Sequence, residues 1–193
     1  MIKIATVLGS AHPPNITAMA LALAQEGLRV IKGVEVLDVD PSKLKLFIPG
    51  MEDGPSDRDR LQKLIGGADG VILATPEYHG SFSSLMKVVI ENLGYPSALS
   101  GKPVSLLGIA GGRYGAIKSL EHLRSVCSHV GALVLPGEIS IPRAGTVFDE
   151  HGRCLVAEVE QDIRDLAQNL VRFIRETKCP DISPEEMARK GLE

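Results

Sequence analysis

Five short apolar runs, IKIATVL, VEVLDVD, DGVILAT, PVSLLGIA and GALVLPGEISI, alternate along this chain with stretches of helical apolar spacing. The first is β-branched and stopped by Gly9 and Ser10, as a buried strand is. The second alternates apolar and acidic residues, the pattern of a strand with one wet face. Between and after the runs, helices are expected over 16–29, 83–92, 115–130 and 156–177. A shorter helix is expected to end at Ile65, opened by a capping box of Ser56 and Asp59. Strands alternating with helices define an α/β fold, a doubly wound parallel sheet with helices on both faces.

Strand count decides between the two common orders. The six-stranded dinucleotide order needs one strand more than the five present, whereas the flavodoxin-like order 2-1-3-4-5 fits. With 193 residues the chain is long enough for one domain with a sizeable core, assigned to 1–178. Residues 179–193 form a polar tail, where Ser183, Pro184 and Glu186 signal one more short helix.

In this order strands 1, 3 and 4 lie side by side, and ligands bind beyond their carboxyl ends. The loops there read GSAHPPNIT, TPEYHGSFS and AGGRYGA. The first opens a helix, whose amides and dipole favour an anion, and Ser10, Asn15 and Thr17 add donors at phosphate-binding spacing. The same three residues also serve as ordinary helix caps. In the second loop Pro76 restrains the backbone and Gly80 admits a flat ligand, while Tyr78 and His79 offer rings. Glu77 reads either as a site residue or as a cap. The third loop has glycines at 111, 112 and 115, where a ring can lie against bare backbone. A phosphate site beside a flat slot on this fold describes flavin mononucleotide (FMN), with loop amides facing the charge that builds on the ring during reduction.

Other chemistries find little support. A formal charge of −3, no Trp, three Tyr and four Phe argue against nucleic acid and against a polybasic membrane contact. No run reaches the length of a membrane span, and the start is too short for a signal peptide, so a cytoplasmic protein is expected. Cys127, Cys154 and Cys179 have no metal or disulfide spacing and read as reduced thiols. The phosphate-loop and dinucleotide glycine motifs are absent, as are a nucleophile elbow and a zinc motif. No catalytic acid, base or nucleophile and no metal ligand is assigned.

At TPEYHGSFSSLMKVVIENL and GIAGGRYGAIKSLEHLR the sequence resembles the NADPH-dependent FMN reductase family, which includes quinone, azo-dye and chromate reductases. The resemblance runs from the first strand to the last long helix. It implies bound FMN, a hydride taken from NADPH or NADH, a small electron acceptor, and assembly as a homodimer or homotetramer. Carried over by position, Ser10, His12, Asn15, Ile16 and Thr17 would surround the phosphate. Pro76, Glu77, Tyr78 and His79 would line the ring and ribityl chain, and Gly111 and Gly112 the ring edge; Arg113 beside them reads as a contact to the nicotinamide phosphate or as a solvated loop residue.

Two departures from the family pattern stand out: His12 occupies the place of an arginine, and His79 that of an asparagine. The first implies weaker phosphate binding that tightens at mildly acid pH, where an imidazole gains its proton. The expected activity is hydride transfer from NAD(P)H to flavin and on to free flavin, a quinone, an azo compound or a metal ion. The alternative is a flavodoxin-type electron carrier without enzymatic turnover.

Overall fold

The computed structural model describes residues 1–48 and 56–177. In chain order the strands are β1 (Ile2–Leu8), β2 (Val34–Val39), β3 (Gly70–Tyr78), β4 (Ser81–Phe82), β5 (Pro103–Ile109), β6 (Leu133–Val134) and β7 (Ile139–Ile141). The helices are α1 (Ile16–Arg29), α2 (Arg58–Gly66), α3 (Ser84–Glu91), α4 (Ile117–His129) and α5 (Ala157–Thr177). The sheet runs β2-β1-β3-β5-β6 with every neighbour in that series parallel. This is the order expected, with β5 in the fourth place.

Hydrophobic runs place β3 and β5 at the centre, because a strand covered on both faces can be apolar at every position. Seven successive residues of β5 are buried, whereas β2, with its acidic alternation, is mostly half-exposed at the sheet's edge. Alternation along each strand then divides the core. Ile4, Ile72 and Leu107 face α1 and α5, while Ala5, Leu73 and Leu106 face α2, α3 and α4. On α5 the buried Ile163, Leu166, Ala167, Leu170, Val171 and Ile174 recur at helical spacing, which lays a 21-residue helix along one face.

Three local expectations are corrected. The run at 131–141 is two strands, not one: Pro136 has no amide to donate and Gly137 turns the chain at φ 85°. Arg124 donates to the carbonyls of Val134 and Leu135 at 3.2 and 3.0 Å where the ladder stops. Second, Ser56 and Asp59 do not cap α2. Asp57 stands at its N-cap without a side-chain cap, since its carboxylate accepts Lys45 N–H at 2.9 Å and pins the preceding loop. Third, β3 runs past Thr75 into a tight hairpin with β4. Pro49, Gly50, Pro55, Cys179 and the helix signal at 183–186 lie outside the described residues.

A buried polar clasp joins the carboxyl ends of β1 and β3 to α3. Gly9 N–H donates to Ala74 O at 2.7 Å, and a Cβ on Gly9 would stand 2.6 Å from that oxygen and 2.8 Å from Met86 Cε, so no side chain fits. Ser83 Oγ donates to Gly9 O at 2.5 Å and accepts Met86 N–H at 3.0 Å, capping α3. Ser83 N–H donates in turn to Thr75 Oγ at 3.1 Å. Replacing Ser83 by Ala orphans a buried carbonyl and removes a helix cap. The expected loss is about 2 kcal/mol, a fall of roughly 4–8 °C in Tm, read by thermal denaturation of the cofactor-free protein.

Candidate cofactor site

Four segments at the carboxyl end of the sheet enclose a cleft of about 150 Å³. The loop after β1 and the start of α1 contribute Ser10, His12, Pro14, Ile16 and Thr17; the end of β3 contributes Pro76, Glu77 and Tyr78. Ile109, Ala110 and Gly111 come from the end of β5, and Ala144 and Gly145 from the turn after β7. Of the residues picked out in the sequence, Asn15, His79, Gly112 and Arg113 do not line it.

Asn15 folds the first loop. Its side-chain oxygen caps α1 by accepting Ala18 N–H at 3.0 Å, and its amide donates to Ser10 O at 2.8 Å. With that cap in place, the backbone amide of Thr17 and the hydroxyls of Ser10 and Thr17 make no hydrogen bond among the described residues. Both residues are nearly buried yet border the cleft. Unspent donors at the positive end of a 14-residue helix form a place for an anion. His12 stands exposed on the rim.

The opposite wall is the end of β3, Pro76, Glu77 and Tyr78. Tyr78 pairs with Ser81, and the two residues between them, His79 at φ 51° and Gly80 at φ 74°, both have the left-handed conformation of a type I′ hairpin. His79 is therefore a turn residue, one of the few side chains that tolerate this region. Across the cleft, a Cβ placed on Gly111 or Gly112 would meet nothing within 4 Å, and their amides make no hydrogen bond among the described residues. Gly112 O accepts Arg143 N–H at 3.0 Å, and Ala110 O accepts Ala144 N–H at 3.0 Å, which fastens the turn after β7 to the glycine loop. Arg113 lies outside, its guanidinium over the Tyr114 ring at 4.5 Å.

Sequence reasoning missed Ser140, Ala144 and Gly145. The signal for Ser140 was an omission: GGRYGAI opens α4 without any capping side chain. The structure supplies caps from two other strands, Ser140 Oγ accepting Ala116 N–H at 2.8 Å and Glu77 Oε2 accepting Ser119 N–H at 3.1 Å. The remaining candidates are structural. His122 Nδ1 meets Ser81 Oγ at 3.1 Å, and burial pushes the Cys127 thiol up to about 12, far from a reactive thiolate.

The family model described as NADPH-dependent FMN reductase matches residues 2–146. An NAD(P)H-dependent FMN reductase of Pseudomonas aeruginosa is 30% identical over 181 residues, covering 90% of this chain and 96% of that protein. An NADPH azoreductase of a Bacillus species is 38% identical over 108 residues, 54% of this chain and 59% of its own. Among solved structures, the flavoenzyme NAD(P)H:(acceptor) oxidoreductase FerB of Paracoccus denitrificans superposes with a TM-score of 0.76 at 20% identity, covering 91% of this chain and 98% of that one.

The chain belongs to the NADPH-dependent FMN reductase family and is an FMN-dependent NAD(P)H oxidoreductase with a flavodoxin-like fold. No helix among the described residues is long and apolar enough to cross a membrane.

The cleft fits the cofactor on its own geometry. It offers unpaired hydroxyls at a helix N-terminus for a phosphate and, at Gly111 and Gly145, lining without side chains for a ring. Neither Gly111 nor Gly112 has a positive φ, so the chain itself tolerates alanine there. Gly111→Ala should leave Tm unchanged or slightly raised while FMN binds at least about tenfold more weakly, as followed by flavin fluorescence quenching. Equal FMN affinity in the variant would show that the ring lies elsewhere.

Proposed function

We propose that FMN is held with its phosphate at the N-terminus of α1 and its ring between the end of β3 and the glycine loop. Ser10, Thr17 and His12 would serve the phosphate, and Asn15 and Ile16 would shape its loop. Pro76 and Tyr78 would form one side of the ring site, with Glu77 between them turned to the end of α4 through Ser119 N–H and His79 closing the turn. Gly111 and Gly112 would present amides and bare backbone on the other side, and Arg113 would flank the rim. The observation that carries this reading is the convergence of unspent donors and side-chain-free lining at Gly111 and Gly145 in one cleft.

When bound, FMN takes a hydride from NAD(P)H and passes the electrons on. What the protein contributes is positioning: a restrained proline-led strand, a tight hairpin and amides left without partners at the glycine loop would need little reorganisation at the moment of transfer. The acceptor is proposed as a small oxidant such as free flavin, a quinone, an azo compound or a metal ion. The azo class draws support from the similarity to the Bacillus azoreductase. Assembly as a homodimer or homotetramer and a cytoplasmic location complete the proposal.

The first test is the visible spectrum of the purified protein before and after anaerobic NADPH. Rapid bleaching of a yellow protein, followed by recovery on addition of a quinone or azo dye, is the expected result. Bleaching only with dithionite would favour the electron carrier. A second test addresses His12. A charged partner adds roughly 1.5–3 kcal/mol to a phosphate hydrogen bond, so His12→Arg should tighten FMN binding by about tenfold or more at pH 8. An unchanged dissociation constant by calorimetry would remove His12 from the phosphate site.

A further inference from the structure

We infer that Glu77 sets the reduction potential of the bound flavin by holding its carboxylate against the N-terminus of α4, and that it acts as a positioning residue and not as a cofactor ligand. The inference rests on the reading that FMN occupies the cleft.

Glu77 is half-buried on the cleft lining, and no lysine or arginine pairs with it among the described residues. Its one hydrogen bond comes from Ser119 N–H, the third amide of α4, and Ser119 itself is fully buried. The amides of Ile117 and Lys118 in the same turn make no hydrogen bond among the described residues. The end of a 13-residue helix carries about half a positive charge. A carboxylate carries a full negative one, so the cap over-compensates the helix end; Lys118 of the same turn packs its chain on the hairpin at Gly80 without forming an ion pair with Glu77 among the described residues.

Uptake of two electrons and one proton leaves the flavin with one additional negative charge. A bare helix end beside the ring would stabilise that charge and raise the potential, as preorganised donors do. A carboxylate seated on the helix end reverses the sign of the local field. It favours the oxidised form and makes the reduced form a stronger donor to the next acceptor. The same bond ties β3 to α4, with β4 docked on α4 through His122 and Ser81. Charge and position are therefore held by one group.

The test compares the FMN-loaded wild type with Glu77→Gln and Glu77→Ala, using anaerobic dithionite titration against a dye of known potential. Glutamine keeps an oxygen that accepts Ser119 N–H but carries no charge. Expected for Glu77→Gln is a Tm close to wild type and about a tenfold rise in the ratio of reduced to oxidised FMN affinity, or about 30 mV for a two-electron couple. Glu77→Ala should raise the potential at least as much, and should also lower the Tm of the cofactor-free protein. A Glu77→Gln potential equal to wild type overturns the inference and leaves Glu77 as a structural cap. Loss of FMN binding in both variants, with wild type still binding, makes it a ligand and overturns the inference from the other side. A wild type that takes up no FMN instead sinks the functional reading, and the inference with it.

Discussion

One buried carbonyl governs the ligand side of this molecule. Gly9 O lies where β1 stops and the sheet's order reverses, a place with no neighbouring strand to donate to it. Ser83, 74 residues further along the chain, supplies the hydrogen. An unpaired buried carbonyl costs on the order of 1–3 kcal/mol, and the hydroxyl that removes this cost is also the cap of α3. Because Gly9 must also pass within contact of Ala74 O and Met86, the three elements reach their final spacing together. The loop carrying Ser10 to Thr17 starts directly from that fixed point. Its geometry is inherited from a polar bond in the core and not from packing alone.

The same logic recurs across the cleft, where α4 begins in a glycine-rich segment unable to cap itself. Two of its opening amides, Ala116 and Ser119, are met by Ser140 from β7 and Glu77 from β3. A loop built for bare backbone cannot also carry capping side chains, so the need for a flat wall moves the caps to other strands. In consequence β3, which leads into the hairpin, and β7 are bonded to the one helix end that the glycine loop opens. That arrangement keeps a side-chain-poor site rigid, which transfer by positioning requires.

How much of this the sequence revealed follows from the range of each interaction. The order of β1, β2, β3 and β5 was legible because strand patterning is local and the alternative order needs another strand. The break between β6 and β7 was marked by Pro136 and Gly137, but an apolar run on both sides concealed it. Asn15 illustrates the limit from the other direction. Its residue type suits a phosphate ligand and a cap equally, and only the bonds to Ala18 and Ser10 show that the cap takes its side chain. A cap at Glu77 was one of two open readings, but the helix it caps, like the partner of Ser140, lies 42 and 24 residues away respectively, where spacing gives no cue.

The two histidines that depart from the family pattern illustrate why a motif must be read through conformation. At position 79 the backbone requires φ near +51°, a region open to glycine, asparagine, aspartate and histidine and strained for most others. Histidine in place of asparagine there preserves what the turn demands, so the departure is small in physical terms. Position 12 differs because it lies on the cleft rim with no backbone constraint of this kind. There the side chain's charge is what matters, and an imidazole cannot reproduce a guanidinium that is charged at every physiological pH. Two substitutions equally visible in the sequence thus differ in weight: one meets a backbone requirement, and the other changes the charge on the cleft rim.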